Sequence, residues 1–274
     1  MFRKGFPQIF VKRFLAVPVI FLLAAAFFVT FCPLEGHAAA QNNQDITVSA
    51  AISLKNAFNE IAKIYEERNP GVKILFNFGA SGNLMMQIEE GAPVDVFASA
   101  AEKQMDDLAG KGLIAPGSRV DFAENTVVLI VPSGQKSAFV KGFMDLTDPR
   151  IKRIAIGNPK SVPAGMYSEE TLKYFGLGTS VSKKIIYGEH VRQVLEYVAR
   201  GEVDAGLVYS TDARIEAGQV RVAAVAPPAS HKPVVYPITV VRGSANEKLA
   251  RTFVSLVTSP EGKKILRKYG FESK

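Results

Sequence analysis

Cysteine occurs once in the 274-residue chain, as Cys32, and histidine three times. Beyond residue 40 there is no cysteine at all, so that part of the chain has no disulfide and no thiol chemistry. The two histidines there, His190 and His231, lack a His, Cys or carboxylate partner at ligand spacing, so no metal cation site is expected. Nucleotide loops are missing too: the chain has no GxxxxGK[ST], and no GxGxxG follows a strand. Gly79-Ala80-Ser81-Gly82 misses the G-x-S-x-G elbow by one position. A secreted serine hydrolase using Ser81 therefore stands only as a remote alternative. Glu89-Glu90 and Glu169-Glu170 are neighbours in sequence and diverge on a helix, which makes them solvated faces.

Charge of one sign is also not abundant. The formal net charge is +7, of which residues 1–40 supply +3 and the remainder +4. A surplus that small and that dispersed does not make the basic stripe of a nucleic-acid binder, though it slightly favours an anionic ligand. Apolar residues make up 47%, enough for a sizeable core.

The first forty residues read as a secretory signal. Arg3, Lys4, Lys12 and Arg13 precede the apolar run Phe14–Cys32, and His37-Ala38-Ala39-Ala40 gives a small-residue cleavage site after Ala40. An uncleaved anchor is the competing reading, because the run reaches the length of a membrane span. A lipoprotein attached through Cys32 is the third, and Val29-Thr30-Phe31 before it lacks the small residues such processing needs. Export to a bacterial periplasm is the expectation.

From residue 45 onward the chain alternates strands and helices. Ile46–Ala51 is an apolar strand, and Leu54, Ala57, Phe58, Ile61, Ile64 and Tyr65 give a helical face behind Ser53. Val72–Phe78 is a strand that runs through Gly79-Ala80-Ser81-Gly82 into a helix expected over about Asn83–Glu90. Val94–Ala98 and Ala101–Ala109 repeat the pattern. A second block follows: strands at Thr126–Val131, Ile151–Ile156, Lys184–Tyr187 and Ala205–Tyr209, with helices opening near Pro163, Val191 and Ser210. Val220–Ala226 and Val234–Val241 are further strands, and two helices close the chain. The alternation predicts an α/β fold with parallel strands covered by helices, and ligands at the strands' carboxyl ends.

Polar, uncharged turns at helix starts are the remaining chemical signal. A strand that empties through small residues into a helix N-terminus presents backbone N–H groups that hold an anion without side-chain charge. Ser53, Ser81, Ala164, Val191 and Tyr209 all fall at such places.

The ordered segments Ala50-Ala51-Ile52-Ser53-Leu54-Lys55-Asn56-Ala57, Gln87-Ile88-Glu89-Glu90-Gly91-Ala92-Pro93-Val94-Asp95 and Val162-Pro163-Ala164-Gly165 carry a resemblance. Gly188-Glu189-His190-Val191-Arg192, Gly206-Leu207-Val208-Tyr209 and Lys268-Tyr269-Gly270-Phe271 extend it over nearly all of the exported chain. The chain resembles the molybdate-binding periplasmic proteins of ABC importers. That resemblance implies a two-lobe class II periplasmic binding-protein fold, with 45–123 plus 238–274 as one lobe and 124–237 as the other. It implies an oxyanion, molybdate or tungstate, held by the hydroxyls and amides of Ser53 and Ser81, the amides of Ala164 and Val191 and the hydroxyl of Tyr209. Gly82 and Asn83 stand where the family often has hydroxyl residues, so an auxiliary donor there is an open question. No catalysis, no cofactor, a monomeric state and delivery to a membrane permease are the further implications. Sulfate or thiosulfate in the same fold is the alternative.

Overall fold

The computed structural model describes residues 44–273, so the signal sequence expected over residues 1–40 lies outside the described residues. The first three strands are β1 (Gln44–Ala51), β2 (Val72–Gly79) and β3 (Val96–Ala98), each leading into a helix: α1 (Lys55–Arg68), α2 (Ser81–Glu89) and α3 (Glu102–Gly110). β1 lies between β2 and β3 and is parallel to both, with Val48 opposite Phe76 on one side and Val96 on the other. Then come β4 (Val120–Asn125), β5 (Val127–Pro132), β6 (Ile154–Gly157), α4 (Pro163–Tyr174) and the one-turn α5 (Gly178–Val181). β7 (Ile185–Gly188), α6 (Val191–Ala199), β8 (Ala205–Tyr209), the short α7 (Ser210–Ala213) and β9 (Val220–Val225) complete the second block. β10 (Val234–Val240), α8 (Glu247–Thr258), α9 (Pro260–Lys268) and β11 (Glu272–Ser273) finish the chain.

Two mixed sheets result, ordered β11-β4-β10-β3-β1-β2 and β7-β6-β8-β5-β9. The expected parallel cores are β2-β1-β3 and β7-β6-β8. The strands next to each crossing between sheets run the other way: β10 is antiparallel to β3 and β4, and β5 to β8 and β9. Sheet membership puts the crossings at Thr126 and between Val225 and Val234.

The core of the first sheet is aromatic. Phe58 on α1 meets Phe122 on β4 and Phe253 on α8, each at 6.0 Å between ring centres, and Tyr65 stands edge-on to Phe253. Phe122 in turn meets Tyr236 of β10, whose ring also touches Phe271 and Tyr209 edge-on. This line of rings carries the packing from the outer helices to the place where the two sheets meet.

Candidate functional site

All six parallel strands end toward one small cavity. It is lined by Ala51, Ile52 and Ser53 after β1, Gly79, Ala80 and Ser81 after β2, and Ala100 after β3. The second sheet contributes Val162, Pro163 and Ala164 after β6, His190 and Val191 after β7, and Tyr209 at the end of β8. The five residues singled out in the sequence are therefore together around one small cavity. Neither a carboxylate nor a Lys or Arg side chain lines it.

Each of the five is placed by its own local structure. Ser53 sits in a single 3-10 turn, Ile52–Leu54, ahead of α1 and does not cap that helix; its buried hydroxyl lies 3.0 Å from the hydroxyl of Tyr236. Ser81 is the first residue of α2, two residues earlier than the pattern suggested, and is fully buried. Its Oγ accepts a hydrogen bond from the Ala100 N–H at 3.0 Å, which leaves the Ser81 proton free to point into the cavity. The N–H of Gly82 is already committed: it donates to the Ser161 carbonyl of the opposite side at 2.9 Å.

Pro163 opens α4 and has no N–H, so Ala164 offers that helix's first amide. The end of α4 presses on β6: a Cβ on Gly165 would stand 2.0 Å from the Gly157 carbonyl oxygen. Only glycine permits that approach, which accounts for the last residue of Val162-Pro163-Ala164-Gly165. Val191 starts α6, capped by His190, whose Nδ1 accepts from the Gln193 N–H at 3.0 Å. The first-turn amides of Ser81, Ala164 and Val191 have no carbonyl one turn back and no acceptor among the described residues. Three helix N-termini thus aim their positive ends at one point.

Tyr209 is almost wholly buried, and its hydroxyl donates to the Ala100 carbonyl at 3.4 Å. Burial, reinforced by Tyr236, Tyr167 and Asp212 nearby, pushes its pKa well above the usual tyrosine value, so it remains a donor. Just outside the cavity, Arg192 forms an ion pair with the fully buried Asp212 and reaches across to the Ser53 carbonyl and to Asn56 Oδ1, each at 3.4 Å. Burial pushes the Asp212 carboxyl upward, and the Arg192 charge and hydrogen bond oppose that shift. Ala100, His190, Tyr236 and Arg192 were not singled out in the sequence. His190 and Arg192 lie in the same short segment as Val191, whereas the contact between Ser53 and Tyr236 spans 183 residues.

A chamber of amides and hydroxyls, closed between two α/β sheets, defines a protein that encloses a small solute. The chain belongs to the bacterial extracellular solute-binding protein family, which matches residues 46–272. It is a binding protein and not an enzyme, as its relatives are, and the serine hydrolase reading falls with that membership. It is 41% identical over 226 residues to a Bacillus subtilis protein, YvgL, whose name describes an ABC transporter substrate-binding lipoprotein. That match covers 82% of this chain and 85% of the relative. The molybdate-binding protein ModA of Haemophilus influenzae is 38% identical, over 84% of this chain and 90% of its own. Among solved structures, the periplasmic molybdate-binding protein of Azotobacter vinelandii superposes with a TM-score of 0.72 at 25% identity, covering 82% of this chain and 98% of that one. Among the described residues no group of three or more His, Cys, Asp or Glu is placed to hold a metal ion.

Proposed function

We propose that the chain captures molybdate, and tungstate as well, on the outer side of the cytoplasmic membrane and delivers it to the permease of an ABC importer. The observation that carries this reading is the cavity itself: five donor positions from both sheets, without a charged side chain in its lining. A dianion suits such a place. Each hydrogen bond to a charged group contributes about 1.5–3 kcal/mol, and each helix N-terminus roughly 0.3–1 kcal/mol. The similarity to proteins named for molybdate supports the choice of anion.

On this reading Ser53, Ser81, Ala164, Val191 and Tyr209 hold the oxyanion, and the two sheets belong to two lobes, 45–123 with 238–274 and 124–237, that close over it. The protein acts as a monomer without a cofactor, in the periplasm, after loss of a signal ending at Ala40. Ligand-dependent thermal stability tests the choice of anion cheaply. Molybdate or tungstate at a thousandfold excess over the dissociation constant should stabilise the exported chain by about 4 kcal/mol. Equal stabilisation by sulfate or thiosulfate would transfer the reading to those anions.

A further inference from the structure

We infer that Asn125 and Tyr236 set the specificity of the site by fixing which way the Ser53 hydroxyl points. The proposal rests on the oxyanion reading above and concerns residues that do not line the cavity.

The chain of hydrogen bonds has one consistent direction. Asn125 is the last residue of β4, at the crossing into the second sheet. Its Oδ1 accepts from the Thr126 N–H at 2.9 Å and from the Ser210 hydroxyl at 3.0 Å. A backbone N–H can only donate, so the amide nitrogen must face the other way, and it donates to Thr211 Oγ1 at 2.9 Å and to the Tyr236 hydroxyl at 3.3 Å. Tyr236 has one proton. Its oxygen receives from Asn125, whose amide nitrogen can only donate, and its other hydrogen-bond partner among the described residues is Ser53 Oγ at 3.0 Å, which takes the Tyr236 proton. Ser53 then receives from Tyr236, and its own proton is turned to the cavity.

Tyr236 cannot swing away from this duty. It is fully buried in β10 and wedged edge-on by Phe122, Phe271 and Tyr209 at 5.4–6.4 Å between ring centres. Ser81 is fixed in the same sense from the other side by the Ala100 N–H. Both serines are thereby donors toward the ligand. An oxyanion with no proton satisfies both, whereas one carrying an O–H meets a donor where it needs an acceptor.

The relay can be reversed without changing its shape. In Asn125→Asp both carboxylate oxygens accept. The first keeps Thr126 and Ser210, and the second takes the protons of Thr211 and Tyr236. Tyr236 then accepts from Ser53, and Ser53 turns a lone pair to the cavity. Sulfate and phosphate test this as a size-matched pair at about pH 8.5, where both carry two negative charges and only phosphate carries a proton. Their affinities are read by displacement of bound molybdate. The wild-type preference for sulfate over phosphate should contract by roughly tenfold or more in Asn125→Asp, because one charge-assisted hydrogen bond changes sign. The added charge alone would weaken both anions by the same factor, and that result, with the ratio unchanged, overturns the relay. Should Asn125→Asp not fold, Tyr236→Phe serves instead. Without the donor that holds Ser53, the ratio should contract part of the way, and an unchanged ratio overturns the proposal. Failure of the wild-type protein to take up molybdate at all counts against the oxyanion reading itself.

Discussion

At the scale of single residues, the proposed function rests on the polarity of donors and on the fit of small side chains. Ser81 is the clearest case, because its Oγ is already occupied as an acceptor and only its proton remains. Ser81→Ala should weaken oxyanion binding by about 1.5–3 kcal/mol, the worth of one charge-assisted hydrogen bond, as measured by titration calorimetry. It should also lower stability by about 1–3 kcal/mol, because the buried Ala100 N–H loses its acceptor. An unchanged affinity would remove Ser81 from the ligand's contacts. Gly82 has a different part: a Cβ there would stand 2.6 Å from the Ser161 carbonyl oxygen across the cavity. Gly82→Ala should act as a wedge between the two sheets, costing about 1–3 kcal/mol in binding as overpacking does elsewhere. X-ray scattering on the ligand-saturated variant should then give a larger radius of gyration than the wild type, and equal radii with equal affinity would refute the wedge.

At the scale of elements, strands and helices with a clear period were legible, and the helix starts that face the cavity were legible with them. β8 is found over the residues expected, and α4 opens at Pro163 as proposed. β4 was not legible: Val120–Asn125 alternates weakly, and its strand character comes from pairing with β10 more than a hundred residues away. The same distance hides Tyr236, Asn125 and Ala100, whose roles come from partners that local spacing does not reveal. Elements outside the cavity lining have their own chemistry. Glu60 on α1 accepts from Lys268 on α9 and from the Tyr269 hydroxyl, both at 2.7 Å. Those hydrogen bonds hold its carboxyl below the usual glutamate range, against a smaller opposing effect of burial. A lowered folded-state pKa gives stability that is present above the ordinary glutamate pKa and lost as pH falls through the folded one. Glu60→Gln should therefore be less stable than wild type at neutral pH, with the gap closing on acidification. Denaturant melts at several pH values read this, and a gap that widens toward acid would contradict it.

For the whole molecule, the central feature is that two sheets with separate parallel cores present six strand ends to a single cavity. Contacts across it join the two sides directly: Gly82 to Ser161, Tyr209 to Ala100, and Arg192 to Asn56 and the Ser53 carbonyl. Removing the Arg192 side chain should cost about 3–5 kcal/mol of stability, because Asp212 would stay buried without its partner. Chemical denaturation of Arg192→Ala checks this, and a loss under about 1 kcal/mol would contradict it. What the cavity takes up is the decisive property of the molecule. Titration calorimetry of residues 41–274 with molybdate, tungstate and sulfate tests that most directly. Saturable one-to-one binding of molybdate and tungstate, with no heat from sulfate at the same concentrations, is the result predicted. Sulfate binding as tight as molybdate, or no binding of either, would contradict it.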